Sequence, residues 1–198
     1  QAAAELLSQE GADVIVLDGI LLLVDEVITG FGRTGPLFAC EAEGVQPDLM
    51  TVAKGLTAGY APMGALLMSD AIYAGIADQQ AGDLAIGHGH TYSAHPVSAA
   101  IGLEVLRLYH EGGLLANGIA QAPRFETGLQ QLAQHPLVGD ARSRGLGGAL
   151  ELVADKGNKR PFDASLGLSD RIGTLAYRHG LIFRAFHDNI LGFAPALC

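Results

Sequence analysis

The chain has 198 residues, of which 49% are apolar, so it is long enough to bury a core and is unlike a disordered segment. Its 12 basic and 21 acidic residues give a formal charge of −9, and no Lys/Arg cluster of the kind that follows a phosphate backbone is present, so we expect no nucleic-acid partner. The longest apolar run, Ile20–Val24, is far below the roughly 18 residues that cross a bilayer, which predicts a cytoplasmic protein without membrane contact.

Disulfide and metal chemistry are not indicated. Cys40 and Cys198 are widely separated and lie in no CxxC pattern, so we predict free thiols. His88, His90 and His95 lie close together, but they lack regular helical spacing and a nearby acidic ligand. The sequence therefore favours polar loop histidines over a metal site.

The first part of the chain predicts a helix over Gln1–Ser8 and buried strands over Ala12–Val16 and Ile20–Val24. The short link Leu17-Asp18-Gly19 is a hairpin signal, which would make the two strands antiparallel. Both runs are apolar on both faces, however, as in a sheet covered by helices, and parallel neighbours need a crossover of about a dozen residues. We therefore favour a parallel pair, with a segment missing near residues 16–17.

Strands and helices alternate further along the chain. We predict strands over Leu49–Ala53 and Gly64–Met68, a helix beginning at Pro96, and a helix over Leu114–Leu132 that Pro123 should kink or divide. Residues 1–120 are therefore predicted to be part of a large α/β domain with a mostly parallel sheet.

After Pro136 the pattern changes to that of a C-terminal α+β domain, which we place at residues 121–198. Its single helix should begin with Ser169 as N-cap and stop at Gly180. The predicted elements of this domain are strands Gly148–Val153, Leu181–Arg184 and Ile190–Phe193 and the helix Ser169–His179.

Charged side chains follow two apolar strands at their carboxyl ends. Asp25 and Glu26 follow the first strand, and Lys54 follows the second. In an open parallel sheet this edge is where ligands bind, so an acid and an amine could meet one ligand there. The spacing is equally compatible with an ion pair that closes the edge. The GxGxxG pattern of Gly30–Gly35 lacks the Gly-Lys-Ser/Thr ending of a P-loop, which disfavours a nucleotide site.

Three blocks in the sequence resemble successive signatures of the class III aminotransferases, which depend on pyridoxal 5′-phosphate (PLP). They are Asp25–Gly35, Ala53–Leu56 and Thr91–Pro96, in the family's order and at about its spacing. Leu181–Arg184, followed by Phe193-Ala194-Pro195, is most similar to the omega-amino-acid:pyruvate branch. The resemblance implies a fold type I PLP-dependent transferase, with a large α/β domain and a smaller C-terminal domain.

The resemblance also assigns roles to residues around the cofactor. Lys54 would form a Schiff base with PLP and later move a proton, and Asp25 would keep the pyridine nitrogen protonated. Val27 would pack on one face of the ring, although ordinary core packing explains it nearly as well. Thr91 would bind the cofactor phosphate of the partner subunit, so the implied assembly is a homodimer with a shared active site.

Arg184 matches the arginine that holds the substrate carboxylate, with a surface salt bridge as the alternative. The implied reaction is a ping-pong transfer of an amino group from an omega-amino acid or amine to pyruvate or a similar small oxo acid. Glu26 and Arg33 receive only structural roles.

The sequence departs from the family's pattern: members of the family are much longer, and their Gly/Ser-rich phosphate turn and ring-stacking aromatic residue have no counterpart here. We therefore expect the chain to be part of a longer polypeptide. Three alternatives stay open: an aminomutase, a decarboxylating transaminase, or an inactive truncated remnant that dimerises.

Overall fold

The computed structural model of the chain describes residues 13–17, 21–77 and 89–198, and the predicted helix Gln1–Ser8 lies outside them. Two compact units are present. The first contains the described residues up to Phe31 together with Pro36–Leu114, and the second contains Gly32–Gly35 and Leu115–Cys198. The domain division at residues 120 and 121 stays a prediction.

The first unit contains a four-stranded sheet in the order β1-β2-β3-β4, together with helices. A 3₁₀ turn over Lys54–Leu56 follows the third strand. The strands are β1 Asp13–Leu17, β2 Leu21–Asp25, β3 Leu49–Val52 and β4 Ala65–Met68, and the helices are α1 Ala39–Ala42, α2 Asp70–Ala77 and α3 Pro96–His110.

This sheet is mixed rather than mostly parallel, which corrects our prediction. Strand β2 pairs with β3 in parallel, but β1 pairs with β2 and β3 with β4 in antiparallel fashion. The parallel pairing that we predicted for the first two strands is wrong for this chain, because the link between β1 and β2 is too short for a crossover and fits a hairpin. A segment missing near residues 16–17 stays a prediction.

The burial pattern of β2 and β3 separates the two faces of the sheet. Val24, Met50 and Val52 are buried on one face, whereas Asp25 and Thr51 are half-buried on the other. This alternation follows from the period of two along a strand. The polar side chains of both strands therefore share one face of the sheet.

The second unit is built on an antiparallel sheet in the order β5-β6-β8-β7. Its core is formed by Leu129, Val138, Leu150, Leu152 and Leu191. The elements are α4 Leu114–Leu132, β5 Val138–Arg144, β6 Gly147–Leu152, a 3₁₀ turn Ala164–Leu166, α5 Leu168–Arg178, β7 Arg184–Ala185 and β8 Ile190–Phe193. Helix α4 runs through Pro123 without being divided.

The ends of α5 differ in part from the prediction. Gly167 is the N-cap, and Ser169 lies inside the helix, where its buried hydroxyl donates a hydrogen bond to the carbonyl of Phe186. The predicted stop at Gly180 is confirmed: its φ of +79° suits glycine, and the N–H of Leu181 reaches back to the Ala176 carbonyl at 2.9 Å.

None of the helices in the described part of the chain combines the length and the apolar character that a membrane span requires.

Candidate functional site

The ends of two parallel strands bring the predicted acid and amine to one edge of the first sheet. In the β2–β3 ladder Asp25 is the partner of Thr51, and both strands run in the same direction. Lys54 follows two residues after the end of β3 and opens the 3₁₀ turn. We call Asp25, Thr51 and Lys54 the strand edge.

The Asp25 carboxylate is held by one of its two oxygens. Oδ1 accepts hydrogen bonds from the backbone N–H of Val27 and from the Thr51 hydroxyl, each at 2.9 Å. No residue that the structure describes donates to Oδ2. Because a carboxylate oxygen can accept about two hydrogen bonds, this arrangement fills Oδ1 and leaves Oδ2 as an oriented acceptor.

Lys54 is exposed and sits on a tightly held turn. Its φ of +38° lies in the left-handed region, which costs an ordinary residue free energy unless the surroundings enforce it. The Tyr109 hydroxyl donates to the carbonyl of Gly55 at 2.8 Å. A Cβ on Gly55 would lie 2.7 Å from the Cβ of Phe31, so the close approach requires glycine.

Aromatic side chains pack beneath this turn. The ring of Phe31 stacks on that of Tyr109 at a centroid distance of 5.8 Å and meets the edge of Phe38 at 5.4 Å. Within the described ranges no acidic group forms an ion pair with Lys54, so the ion pair that the sequence left open is not present there.

Glu26, the neighbour of Asp25, has a different environment. Its side chain is fully buried, with Oε2 accepting from the Thr29 hydroxyl and Oε1 from the backbone N–H of Cys40 at 2.8 Å. Burial, followed by the nearby Glu26 carboxylate, raises the pKa of the Cys40 thiol to about 12. We call Glu26, Thr29 and Cys40 the Glu26 anchor, and its geometry fits the structural role predicted for Glu26.

Arg33 also has structural contacts, within the second unit. Its guanidinium donates to the carbonyls of Leu146 and Pro195 at 2.9 and 2.7 Å. These bonds connect the 32–35 segment to the chain near β6 and to the residues after β8.

Thr91 is exposed in a turn that precedes α3. The turn is closed by Ser93, whose hydroxyl accepts from the N–H of His90 at 2.9 Å and whose own N–H donates to the His90 carbonyl at the same distance. A shallow cavity of about 340 Å³ adjoins the turn, with a lining that includes Met63, Gly64, His90, Tyr92 and His95.

Arg184 lies on β7 in the second unit, where it pairs with Gly192 of β8. Its guanidinium carbon is 5.5 Å from the centroid of the Phe186 ring, and the side chain is exposed. No acidic residue in the part of the chain covered by the structure pairs with it, so the salt bridge considered above is not observed.

Sequence reasoning missed Thr51 and Tyr109. Thr51 lies in a correctly predicted strand, but its contact with Asp25 depends on the register between strands 26 residues apart. Alternation along β3 could have placed Thr51 on the unburied face, without identifying its partner. Tyr109 gives no comparable sequence signal, because its bond to Gly55 spans 54 residues.

Metal binding finds no support in the described ranges, where no group of three or more His, Cys, Asp or Glu side chains could hold an ion. Of the three clustered histidines, His88 lies outside those ranges.

Comparison with known proteins identifies aminotransferases, both by family model and among similar sequences and structures. The family model described as "Aminotransferase class-III" matches residues 5–198. A putrescine–pyruvate aminotransferase from Pseudomonas aeruginosa is 42% identical over 185 residues, which cover 92% of this chain and 39% of the relative.

Two solved structures are similar along almost the whole chain. An (S)-enantioselective omega-transaminase from Thermomicrobium roseum is 39% identical, with a TM-score of 0.86 and coverage of 99% of this chain and 41% of that one. A PMP-bound aminotransferase from Vibrio fluvialis is 37% identical, with a TM-score of 0.83 and coverage of 90% and 39%. The chain thus spans about two fifths of the length of the proteins that it matches.

Proposed function

Because this chain belongs to the class III aminotransferases, we propose that it acts in transamination, moving an amino group from an omega-amino acid or amine to pyruvate or a similar small oxo acid. The enzymes of this family depend on PLP, and one similar structure is PMP-bound. The observation that carries the proposal is the strand edge, where an oriented carboxylate oxygen and an exposed lysine lie at the ends of neighbouring parallel strands.

The donor and acceptor groups of the strand edge fit PLP. A protonated pyridine nitrogen needs an anionic acceptor, and Oδ2 of Asp25 is open while Oδ1 is held. The cofactor aldehyde needs an amine, which Lys54 offers. When bound, PLP stabilises the carbanion formed at the substrate carbon and stores the amino group between half-reactions.

Three residues of this chain would have distinct roles in the reaction. Lys54 would hold the cofactor covalently and, once released by a substrate amine, would move a proton between the substrate α-carbon and the cofactor C4′. Asp25 would keep the pyridine nitrogen protonated. Val27, whose N–H already fixes Asp25, would place its side chain against the ring.

Two further roles belong to the proposal. Thr91 would donate a hydrogen bond from its hydroxyl to the cofactor phosphate of a partner subunit, so the active enzyme would be a homodimer. Arg184 would bind the substrate carboxylate through two parallel N–H donors; it is supported by its exposed guanidinium, for which the described residues provide no carboxylate partner. The proposal also includes a ping-pong order of substrates and a cytoplasmic location.

The experiment is a panel of amino donors assayed with pyruvate in the presence of PLP, with alanine formation as the readout. The panel would contain β-alanine, longer omega-amino acids, monoamines and a diamine, the last because a relative is named for putrescine. We expect turnover with at least one donor and none in Lys54→Ala.

Three results would contradict the proposal in different ways. Activity with glutamate-1-semialdehyde alone would indicate an aminomutase, and release of carbon dioxide from the donor would indicate a decarboxylating enzyme. Failure to bind PLP, with no turnover of any donor, would indicate an inactive remnant.

A further inference from the structure

Thr51 occupies a defined place beside the proposed cofactor carboxylate. The β2–β3 register makes it the direct partner of Asp25, and the backbone N–H of Glu26 donates to its carbonyl at 2.9 Å. The side chains of Asp25 and Thr51 share the half-buried face of the sheet. The main chain thus holds the hydroxyl and the carboxylate in register, before any side-chain contact is considered.

The direction of the hydrogen bond follows from its chemistry. An ionised carboxylate only accepts, so the Thr51 hydroxyl must donate to Oδ1 at 2.9 Å. Threonine is β-branched and loses little rotational freedom in a strand, which makes the hydroxyl a well-oriented donor. Bonds to charged groups are stronger than those between neutral groups.

Two donors on one oxygen determine where the other oxygen points. The Val27 N–H alone forms a local turn bond, which leaves the carboxylate able to rotate about its last side-chain torsion. The Thr51 hydroxyl, coming from the neighbouring strand, adds a second fixed direction. Together they hold Oδ1 in the protein and present Oδ2 outward.

We propose that Thr51 is a positioning residue for the reaction: its hydroxyl holds Oδ1 of Asp25 so that Oδ2 is aligned with the pyridine nitrogen of PLP. This inference rests on the proposed function. Thr51 acts through Asp25 and touches neither substrate nor reacting atoms. Its loss should therefore weaken PLP binding and lower kcat, while KM for the amino donor stays nearly constant.

The test is a double-mutant cycle on the purified full chain, with the dissociation constant of PLP measured by absorbance titration of the apo protein. Thr51→Val replaces the hydroxyl with a methyl of similar size and should weaken PLP binding about tenfold, as expected for one lost bond to a charged group. Thr51→Ser keeps the hydroxyl and should recover most of the affinity. The matched control is Thr127→Val, which removes a hydroxyl that donates a hydrogen bond to the Pro123 carbonyl. This control should bind PLP like the wild type.

The second arm places both Thr51 variants in an Asp25→Ala background. If Thr51 acts through Asp25, Thr51→Val should then change PLP affinity by less than about twofold. A tenfold loss that persists without Asp25 would overturn the inference, because it would show a general structural effect. Equal PLP affinity of Thr51→Val and wild type would overturn it as well, while leaving the proposed function in place. If the wild-type chain itself binds no PLP, both proposals fail.

Discussion

Asp25 and Glu26 are consecutive carboxylates, yet they belong to two regions that use their oxygens in opposite ways. At the strand edge, Asp25 is half-buried, and both of its donors converge on Oδ1. In the Glu26 anchor, the carboxylate is fully buried, and each of its oxygens accepts from a different donor. The alternation of side chains at the end of β2 sends one acid to the open face of the sheet and the next to the interior.

The difference distinguishes a carboxylate that can bind a ligand from one that stabilises the fold. A buried carboxylate with both oxygens occupied has no acceptor left for a ligand, and its hydrogen bonds secure the chain after β2. A half-exposed carboxylate with one oriented oxygen can take a new donor without breaking an internal bond. We therefore expect substitutions at the strand edge to affect chemistry and substitutions in the Glu26 anchor to affect stability.

The largest expected effect is on activity, from Asp25→Asn. The amide can still accept the Val27 and Thr51 hydrogen bonds, but it has no charge to keep a pyridine nitrogen protonated. We expect kcat to fall about 100- to 1,000-fold, the magnitude typical of a lost electrostatic group in an active site. Steady-state kinetics with the best donor and pyruvate would measure it.

The matched control for this variant is Asp70→Asn, which makes the same change at an exposed residue in the first turn of α2. It should keep wild-type kcat. Asp25→Asn with unchanged kcat but a markedly lower unfolding midpoint would reverse the assignment of the two regions.

Glu26→Ala should have the next largest effect, and on stability. It leaves the Thr29 hydroxyl and the Cys40 N–H buried without an acceptor, and each such group costs about 1–3 kcal/mol. We expect the free energy of unfolding to fall by about 2–4 kcal/mol, measured by urea denaturation. Glu104→Ala removes an exposed carboxylate paired with Arg107, and it should lower the free energy of unfolding much less than Glu26→Ala does. Equal losses of unfolding free energy in the two variants would contradict the stabilising role of the Glu26 anchor.

Thr29→Val tests one half of the Glu26 anchor. The substitution keeps the shape of the side chain and removes only the donor to Oε2, while the Cys40 N–H still binds Oε1. We expect a loss of about 1–2 kcal/mol in the same denaturation experiment, smaller than that of Glu26→Ala. A loss larger than that of Glu26→Ala would show that Thr29 stabilises the fold by another route.

The effect that is smallest near neutral pH is the pH dependence of stability contributed by Cys40. Burial beside Glu26 raises the thiol pKa from 9.0 to about 12 in the folded chain. The folded state therefore retains its proton while the unfolded state loses it, so this contribution is complete below pH 9 and declines as the pH rises from 9 toward 12. The decline should be on the order of 1 kcal/mol per pH unit.

Cys40→Ala isolates this contribution, because the other titrating groups are the same in both proteins. The difference in unfolding free energy between wild type and Cys40→Ala should shrink between pH 9 and 11. A difference that stays constant over that range would mean that the thiol is not held in its protonated form.

The positions of the two charged residues at the strand edge could be predicted because their signals are local. An apolar run that ends in a charged residue is visible in the sequence, and it located both Asp25 and Lys54. The strand Ile190–Phe193 was predicted with its observed limits for the same reason, since four consecutive residues carry its apolar pattern.

Other features depend on information that a local pattern lacks. Strand β5 was not predicted because most of its residues are polar or small and show no strand pattern of their own. Its extended conformation depends on antiparallel pairing with β6. The apolar runs of β1 and β2 are compatible either with a parallel pair covered by helices or with an antiparallel hairpin. The two strands pair antiparallel, as the short link between them requires. The Thr51–Asp25 contact required the register of β3 on β2, which long-range packing sets.

The central claim, that the strand edge holds PLP through Lys54, is tested most directly by borohydride reduction of the PLP-loaded protein followed by peptide mass mapping. We predict a pyridoxyl group on Lys54 and loss of that label in Lys54→Ala. Labelling confined to Lys156 or Lys159, or no label on any peptide, would contradict the account.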